Sequence, residues 1–358
     1  MAITHRMTPE DLAICREMIR TGSHSFNAAS KLLPSSVRDP ALALYAFCRL
    51  ADDAVDLSNA KPAAVLRLRD RLDLAYAGTP RDAAPDRAFA ALIRTYDMPR
   101  ALPDALLEGL AWDAMERRYQ TFSDLLSYSA RVAAAVGAMM CVLMGVRGRD
   151  ALARACDLGA AMQLTNIARD VGEDALAGRL YLPLDWLEEV GVDPEAFLSN
   201  PKPTAKITAL TKRLLTEAER LYQRSEAGVA ALPLRCRSGI LSARHIYSAI
   251  GGRIAAAGFD SVTRRAHTST TEKICLLGLS MGQTALVTMM PRSAVLHAPP
   301  LPEVAFLVEA AAHDAAPFSQ WGDGRVGALL SALATLEERD RMRRRNDRPF
   351  DGPANPAI

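Results

Sequence analysis

At 358 residues, 49% hydrophobic and 23% charged, the chain can bury a large core as one extended domain or two smaller ones. Its 43 basic and 41 acidic residues leave a net charge of +2, too weak a field to draw in nucleic acid. Six cysteines, at positions 15, 48, 141, 156, 236 and 275 with no CxxC pair, exclude a zinc cluster or disulfide framework, fit a reducing cytoplasm and read mostly as small core residues.

Helical periodicity runs throughout and alternating β-branched segments are scarce, which predicts an all-α chain. Residues 1–10 contain no apolar core, so no signal peptide is expected. Thr8-Pro9-Glu10-Asp11 has the pattern of a capping box and opens a predicted helix near 9–20. The next predicted helix, 40–57, takes Asp39 as N-cap and Pro40 as its first residue. From Ala41 to Ala51 only Arg49 is charged, as suits a helix buried nearly all round. Further helices are predicted near 62–78, 86–95, 103–118, 123–145, 149–174, 204–230, 236–257, 271–290 and 321–345. The stretch Ile274 to Met290 is interrupted by Ser280, Gln283, Thr284 and Thr288 and falls short of the roughly 20 residues of a membrane span, so it predicts a buried helix. From about Arg339 the composition turns charged and then Pro-, Gly- and Asn-rich, which predicts a disordered tail after a folded region of 1–338.

Two acidic segments stand out within these helices. Asp52 and Asp56 in the first, and Asp170 and Asp174 in the second, are spaced four apart and so project from one helix face. Tyr45, Arg49, Asp52 and Asp56 form one polar stripe in apolar surroundings, and Gln163, Asn166, Asp170 and Asp174 form another. Like charges one turn apart repel, so an inward-facing pair calls for a cation. Mg²⁺, which takes hard oxygen ligands and is completed by phosphate oxygens, is the expected one. Arg169 and Glu173 sit on an adjoining side at pairing distance, and Gly178 and Pro183 mark the end of the second helix.

The strings YAFCRLADDAVD (45–56) and QLTNIARDVGEDALAGRLYLP (163–183) resemble the two aspartate-rich signatures of the squalene and phytoene synthase family. The likeness continues in Gly22-Ser23-His24-Ser25-Phe26 with Leu32-Leu33-Pro34, in Arg118 to Phe122 with Tyr128 and Val132 to Gly137, and in Tyr247, Gly258-Phe259-Asp260, Arg264-Arg265 and Lys273. It spans roughly residues 10 to 280. Three positions depart from the family pattern: His24 stands where Lys or Arg is usual, Ala130 where an aromatic is common, and Ala134 where Gly is common.

This resemblance implies an isoprenoid-synthase-type helical bundle around a central apolar cavity, with 1–338 as the head-to-head prenyl synthase domain. It implies that two prenyl diphosphates join through a cyclopropyl diphosphate, which ionises again and rearranges. The length is more like that of phytoene-forming bacterial members, which implies condensation of two geranylgeranyl diphosphates to phytoene, the first step of carotenoid biosynthesis. Squalene or dehydrosqualene formation from farnesyl diphosphate is the alternative within the family, and a catalytically inactive helical assembly factor is the alternative outside enzymes. By resemblance, Asp52, Asp56, Asn166, Asp170 and Asp174 would reach Mg²⁺, or Mn²⁺ in its place, directly or through water, the four aspartates thereby serving catalysis. Tyr45, Arg49, Arg169, Arg179, Arg264 and Lys273, with Ser23 and Phe26, would hold diphosphate, and Gln163 and Tyr128 would face the reacting centre. A phytoene-forming enzyme ends by losing a proton, so no NAD(P)H is expected, in keeping with the lack of a GxGxxG between strand and helix. Expected partners are prenyl diphosphates and downstream carotenoid enzymes, with a peripheral membrane contact through which apolar substrate and product would pass.

Overall fold

The computed structural model describes residues 7–22, 24–56 and 61–312, and of 24, 52–56 and 61–63 the backbone alone. The predicted helix 321–345 and the predicted tail lie outside these residues. What is described belongs to one compact unit ending at His313.

The described residues are helical with no strand. In chain order the helices are α1 (Pro9–Gly22), α2 (His24–Ser30), α3 (Ser35–Asp56), α4 (Lys61–Ala77), α5 (Ala84–Tyr96), α6 (Ala101–Ala114), α7 (Phe122–Ser129), α8 (Ala135–Leu143) and α9 (Arg149–Leu176). The series continues with α10 (Leu184–Glu189), α11 (Pro194–Ser199), α12 (Ala205–Val229), α13 (Leu234–Ala256), α14 (Thr270–Met289) and α15 (Ala305–Ala311).

Several boundaries differ from expectation for identifiable reasons. Helix α3 starts five residues before Pro40, so Asp39 is not its N-cap; Asp39 instead pairs with Arg16. Proline normally breaks a helix interior because one carbonyl loses its partner. Here the Ser36 carbonyl, which Pro40 cannot serve, accepts from the Tyr96 hydroxyl at 3.2 Å. The predicted 123–145 helix is one helical run interrupted by a π turn, Ala130–Ala134, and the short helices α2, α10, α11 and α15 carry too few residues to show a period. Thr8 does cap α1, accepting from the Asp11 amide at 3.1 Å, while the Asp11 carboxylate turns away to Arg87 at 2.5 Å.

At the centre runs the 28-residue α9, against which α12, α13, α8 and the π turn pack. Small residues allow the closest of these approaches: a Cβ on Gly159 would overlap the Ala133 carbonyl and Ala134, and one on Gly137 would overlap the Ala155 carbonyl. One apolar cluster fills the space among α1, α3 to α6 and α8, with Phe47 stacked on Phe89 at 4.0 Å, and a second joins α7 and α9 to α13. The expectation of a buried 271–290 helix is corrected. Only Ser280 of α14 is fully buried, while Ile274, Leu279, Met281, Leu286 and Met289 are exposed. The described helical run that is long and apolar enough to cross a membrane is instead Phe122–Leu143, and 67% of its apolar 18-residue stretch is buried within the fold.

Candidate active site

Both halves of the candidate site are set by long helices. The α3 backbone remains helical through Asp56, so Asp52 and Asp56 keep their one-turn spacing; their side chains, like Ser23, lie outside the description. Helix α9 carries Gln163, Asn166, Asp170 and Asp174 in register, and the side chains of the two aspartates are only 16% and 14% exposed.

Cations surround the second pair, in a different pairing from the one the spacing suggested. Arg169 bonds Asp170 at 2.5 and 2.8 Å rather than reaching Glu173, and Arg265 takes both partners, at 2.8 Å from Asp170 and 2.9 Å from Glu173. Arg179 lies 3.2 Å from Asp174. Burial pulls the Asp170 carboxyl upward, but its hydrogen bonds with Arg169 and Arg265 hold it below the usual carboxylate range. Asp174 goes the other way: burial pushes it up to about 7, Arg179 opposes this, and neighbouring Asp170 adds to it.

Arg265 reaches the site because the loop after α13 lies directly on α9. Gly172 makes this approach feasible, since a Cβ there would overlap the Val262 carbonyl oxygen, and its amide donates to the Ser261 carbonyl at 2.9 Å. Arg264, the residue singled out from sequence, stands exposed on that loop beside Asp260, and Lys273 is half-buried in the first turn of α14. Of the Arg264-Arg265 pair noted in the sequence, the cation that meets the acids is thus the neighbour of the one chosen as a diphosphate ligand, and the glycine inside the acidic signature was the available clue.

From this polar end an apolar cavity of about 270 Å³ extends along α9. Gln163 and Asn166 line it, together with Tyr45, Phe26, Met162 and Tyr247. Phe26 stacks on Tyr45 with ring centres 5.6 Å apart, and Gly22 leaves room for the Tyr45 hydroxyl, which joins the amino-terminal segment to α3. Arg49 sits half-buried one turn after Tyr45. Tyr128 is not among the cavity's lining residues. It is 3% exposed, its hydroxyl donates to Asp113 at 2.8 Å, and Tyr181 donates to the other oxygen of Asp113 at 2.8 Å. The Tyr128 and Tyr181 rings stack at 5.2 Å, and Asp174 lies close enough to act on the Tyr181 hydroxyl, so this cluster backs the acidic end.

The donors suit a hard divalent cation: half-buried carboxylates on the same helix face as the amide oxygen of Asn166, with Asp174 raised by burial and in need of positive charge. Among the described residues no three His, Cys, Asp or Glu side chains gather tightly enough to form a complete cage.

Comparison with known proteins gives the class. Residues 19–272 match the model of the squalene/phytoene synthase family, and the chain belongs to that family. It is 62% identical over 342 residues to a phytoene synthase of Cereibacter sphaeroides, covering 93% of this chain and 95% of the relative. It is 44% identical over 272 residues to a 15-cis-phytoene synthase of Paracoccus sp., covering 74% and 88%. A crystal structure of a dehydrosqualene synthase in complex with ligand superposes with a TM-score of 0.71 at 31% identity, covering 77% of this chain and 97% of that one.

Proposed function

We infer that this chain condenses two geranylgeranyl diphosphates head to head, through a cyclopropyl diphosphate, to phytoene with release of diphosphate. The observation that carries the reading is a single face of α9 that begins with half-buried acids paired with arginines and runs into an apolar cavity. A diphosphate with a long hydrocarbon tail has that same division, and the 62% identical relative bears the name phytoene synthase.

Asp52, Asp56, Asn166, Asp170 and Asp174 would hold Mg²⁺, which when bound supplies charge stabilisation for the departing diphosphate. The chain's own cations, Arg169, Arg179 and Arg265, with Arg49 and Lys273, bind and orient the diphosphate oxygens. Tyr45 and Phe26 close the polar end over the tail, and Gln163 stands at the boundary where the carbocation forms. The apolar wall keeps water from that cation, since water would intercept it as an alcohol.

Purified protein with Mg²⁺ and either geranylgeranyl or farnesyl diphosphate, without NADPH, tests the reading through product mass. A forty-carbon triene-centred hydrocarbon is expected, and a thirty-carbon product made in preference would replace phytoene with dehydrosqualene. Asp170→Asn should lower turnover at least about 100-fold with unchanged helical circular dichroism, as loss of a transition-state charge contact does. An undiminished rate removes Asp170 from the metal site.

A peripheral lipid contact is the second element of the reading. The exposed Ile274, Leu279, Met281, Leu286 and Met289 of α14 support it, because isolated apolar residues are ordinary on a surface but a row on one helix is not. Co-sedimentation with phosphatidylglycerol vesicles is expected, and recovery of all the protein in the supernatant refutes it.

A further inference from the structure

We propose that α14 is a lipid-docked lid over a side port of the tail cavity, between α2 and α13, through which the hydrocarbon product passes into the bilayer; this rests on the prenyl diphosphate reading of the site and on the lipid contact of the same helix. Substrate and product differ in what they can do at the acidic end. Once diphosphate is lost, nothing on the hydrocarbon can pair with Asp170, Asp174, Arg169, Arg179 or Arg265, and passage among them would strip water from charges without replacing it. The product therefore needs an apolar way out, and the wall shared by α2 and α13 provides one.

That wall is made of small side chains. Ala29 of α2 and Ala243 of α13 line the cavity, and with Ile246 they form an apolar cluster against which Ala28 packs, Met162 from α9, and Leu276 and Leu277 from α14. Helix α14 lies over this cluster inside out. Toward the body it turns Ser280, which is 0% exposed, and the half-buried Gln283 and Thr284, the two hydroxyls donating back to carbonyls of their own helix at 2.7 Å. Ile274, Leu279, Met281, Leu286 and Met289 face outward. A surface helix in water has the opposite arrangement.

Little holds α14 down. Beyond Leu276 and Leu277, polar contacts tie it to α13: Arg253 with Glu272 at 2.9 Å near its start, His245 with Gln283 in the middle, and Arg237 with Thr288 at 3.0 Å near its end. Solvent-exposed polar pairs contribute little, and an element with few buried apolar contacts opens at low cost. The surrounding charge selects the surface that lifts it. Between 264 and 292 stand Arg264, Arg265, Lys273 and Arg292 against Glu272 alone, and Glu272 is already paired with Arg253. Arg292 lies close enough to act on Arg237, beside the exposed Met289 and Met290. An apolar face between basic ends fits a bilayer with anionic headgroups, which takes up the outer residues and draws α14 off the port.

The test uses the full-length protein, phosphatidylglycerol vesicles and geranylgeranyl diphosphate. In a Cys275→Ser parent, His245→Cys with Gln283→Cys is bridged by dibromobimane, which pins α14 to α13. With enzyme in excess, the quenched product should stay within about twofold of the unbridged protein, because release is not read; with substrate in excess, turnover should fall at least about tenfold, because exit becomes limiting. An unchanged rate with substrate in excess, or equal losses under both conditions, overturns the proposal. Ala243→Cys in the same parent gives a reading free of turnover. Pyrene maleimide dissolved in the vesicles should label it faster than the parent, and no gain overturns the port. Leu279→Lys with Leu286→Lys should abolish co-sedimentation with the vesicles while leaving turnover in detergent, and retained binding overturns the docking face. So does a wild type that stays off vesicles and sediments as a dimer split by the same lysines, since the face then belongs to a second copy. A wild type that makes no hydrocarbon in any assay removes the reading of the reaction, whereas labelling and co-sedimentation still decide the lid.

Discussion

Gly172 and Arg265 show how a single missing Cβ can place a charge. Gly172→Ala puts a methyl group into the Val262 carbonyl, and because the obstacle is backbone the loop must lift, taking Arg265 off Asp170 and Glu173. We expect a loss of about 1–3 kcal/mol in stability, the usual cost of overpacking, with at least a tenfold fall in kcat/KM. Denaturant melts and steady-state rates measure the two. Arg265→Ala should reproduce the kinetic loss, while Arg264→Ala, exposed beside Asp260, should stay within about threefold of wild type, since surface charges contribute little. Equal effects of the two would show that the loop positions neither arginine specifically. At this scale the acidic face of α9 was legible in the sequence, because a helix fixes which residues share a side. The partners were not: Arg169 takes Asp170 rather than Glu173, and Asp113 receives both Tyr128 and Tyr181, choices made by tertiary packing that no local spacing encodes.

Helices of three turns or more were legible for the same reason, and their ends less so. The start of α3 was misplaced because Pro40 reads as a first-turn residue, and only the Tyr96 hydroxyl, sixty residues away, makes an interior proline tolerable. Likewise the exposure of α14 was hidden by composition, since apolar content predicts burial and says nothing about whether a neighbouring element exists to provide it. The π turn at Ala130–Ala134 and the crossing of α9 over it are a further case. Ala133 and Ala134 approach Gly159 so closely that backbone meets backbone, which makes the small residues at 133, 134 and 159 a condition of the helix spacing. Gly159→Ala should therefore force α9 away from the π turn and reshape the cavity wall between them. Expected are a stability loss of about 1–3 kcal/mol and a rise in KM for the prenyl substrate larger than any fall in kcat. A fall in kcat alone would place the effect at the acidic end instead.

An apolar cavity at the centre forgoes the packing contacts that would otherwise fill it, so the surrounding helices must be held from outside. Members of all three apolar clusters line it, and ion pairs of long sequence separation tie the outer shell together. Arg147 donates to the carbonyls of Tyr96, Asp97 and Ala311, and Arg87 on α5 bonds Asp11 on α1, the helix that precedes the Phe26 segment. Asp11 is 1% exposed; burial raises its carboxyl, and the hydrogen bond from Arg87 overcomes this to leave it below its ordinary value near 3.8. A depressed folded-state value means that the pair's contribution is present above about pH 4 and is lost as pH falls through the lower, folded value. Removing the arginine leaves burial, the largest influence, opposed only by the hydrogen bonds with Thr8, so the Asp11 carboxyl rises and the variant falls further behind wild type as pH rises past 4. Arg87→Ala should accordingly cost about 3 kcal/mol at pH 7, with a deficit relative to wild type that shrinks at pH 5. Urea melts of both proteins at the two pH values decide it, and a deficit that stays constant or grows on acidification would mean that Asp11 finds another cation and that α1 is held by packing alone.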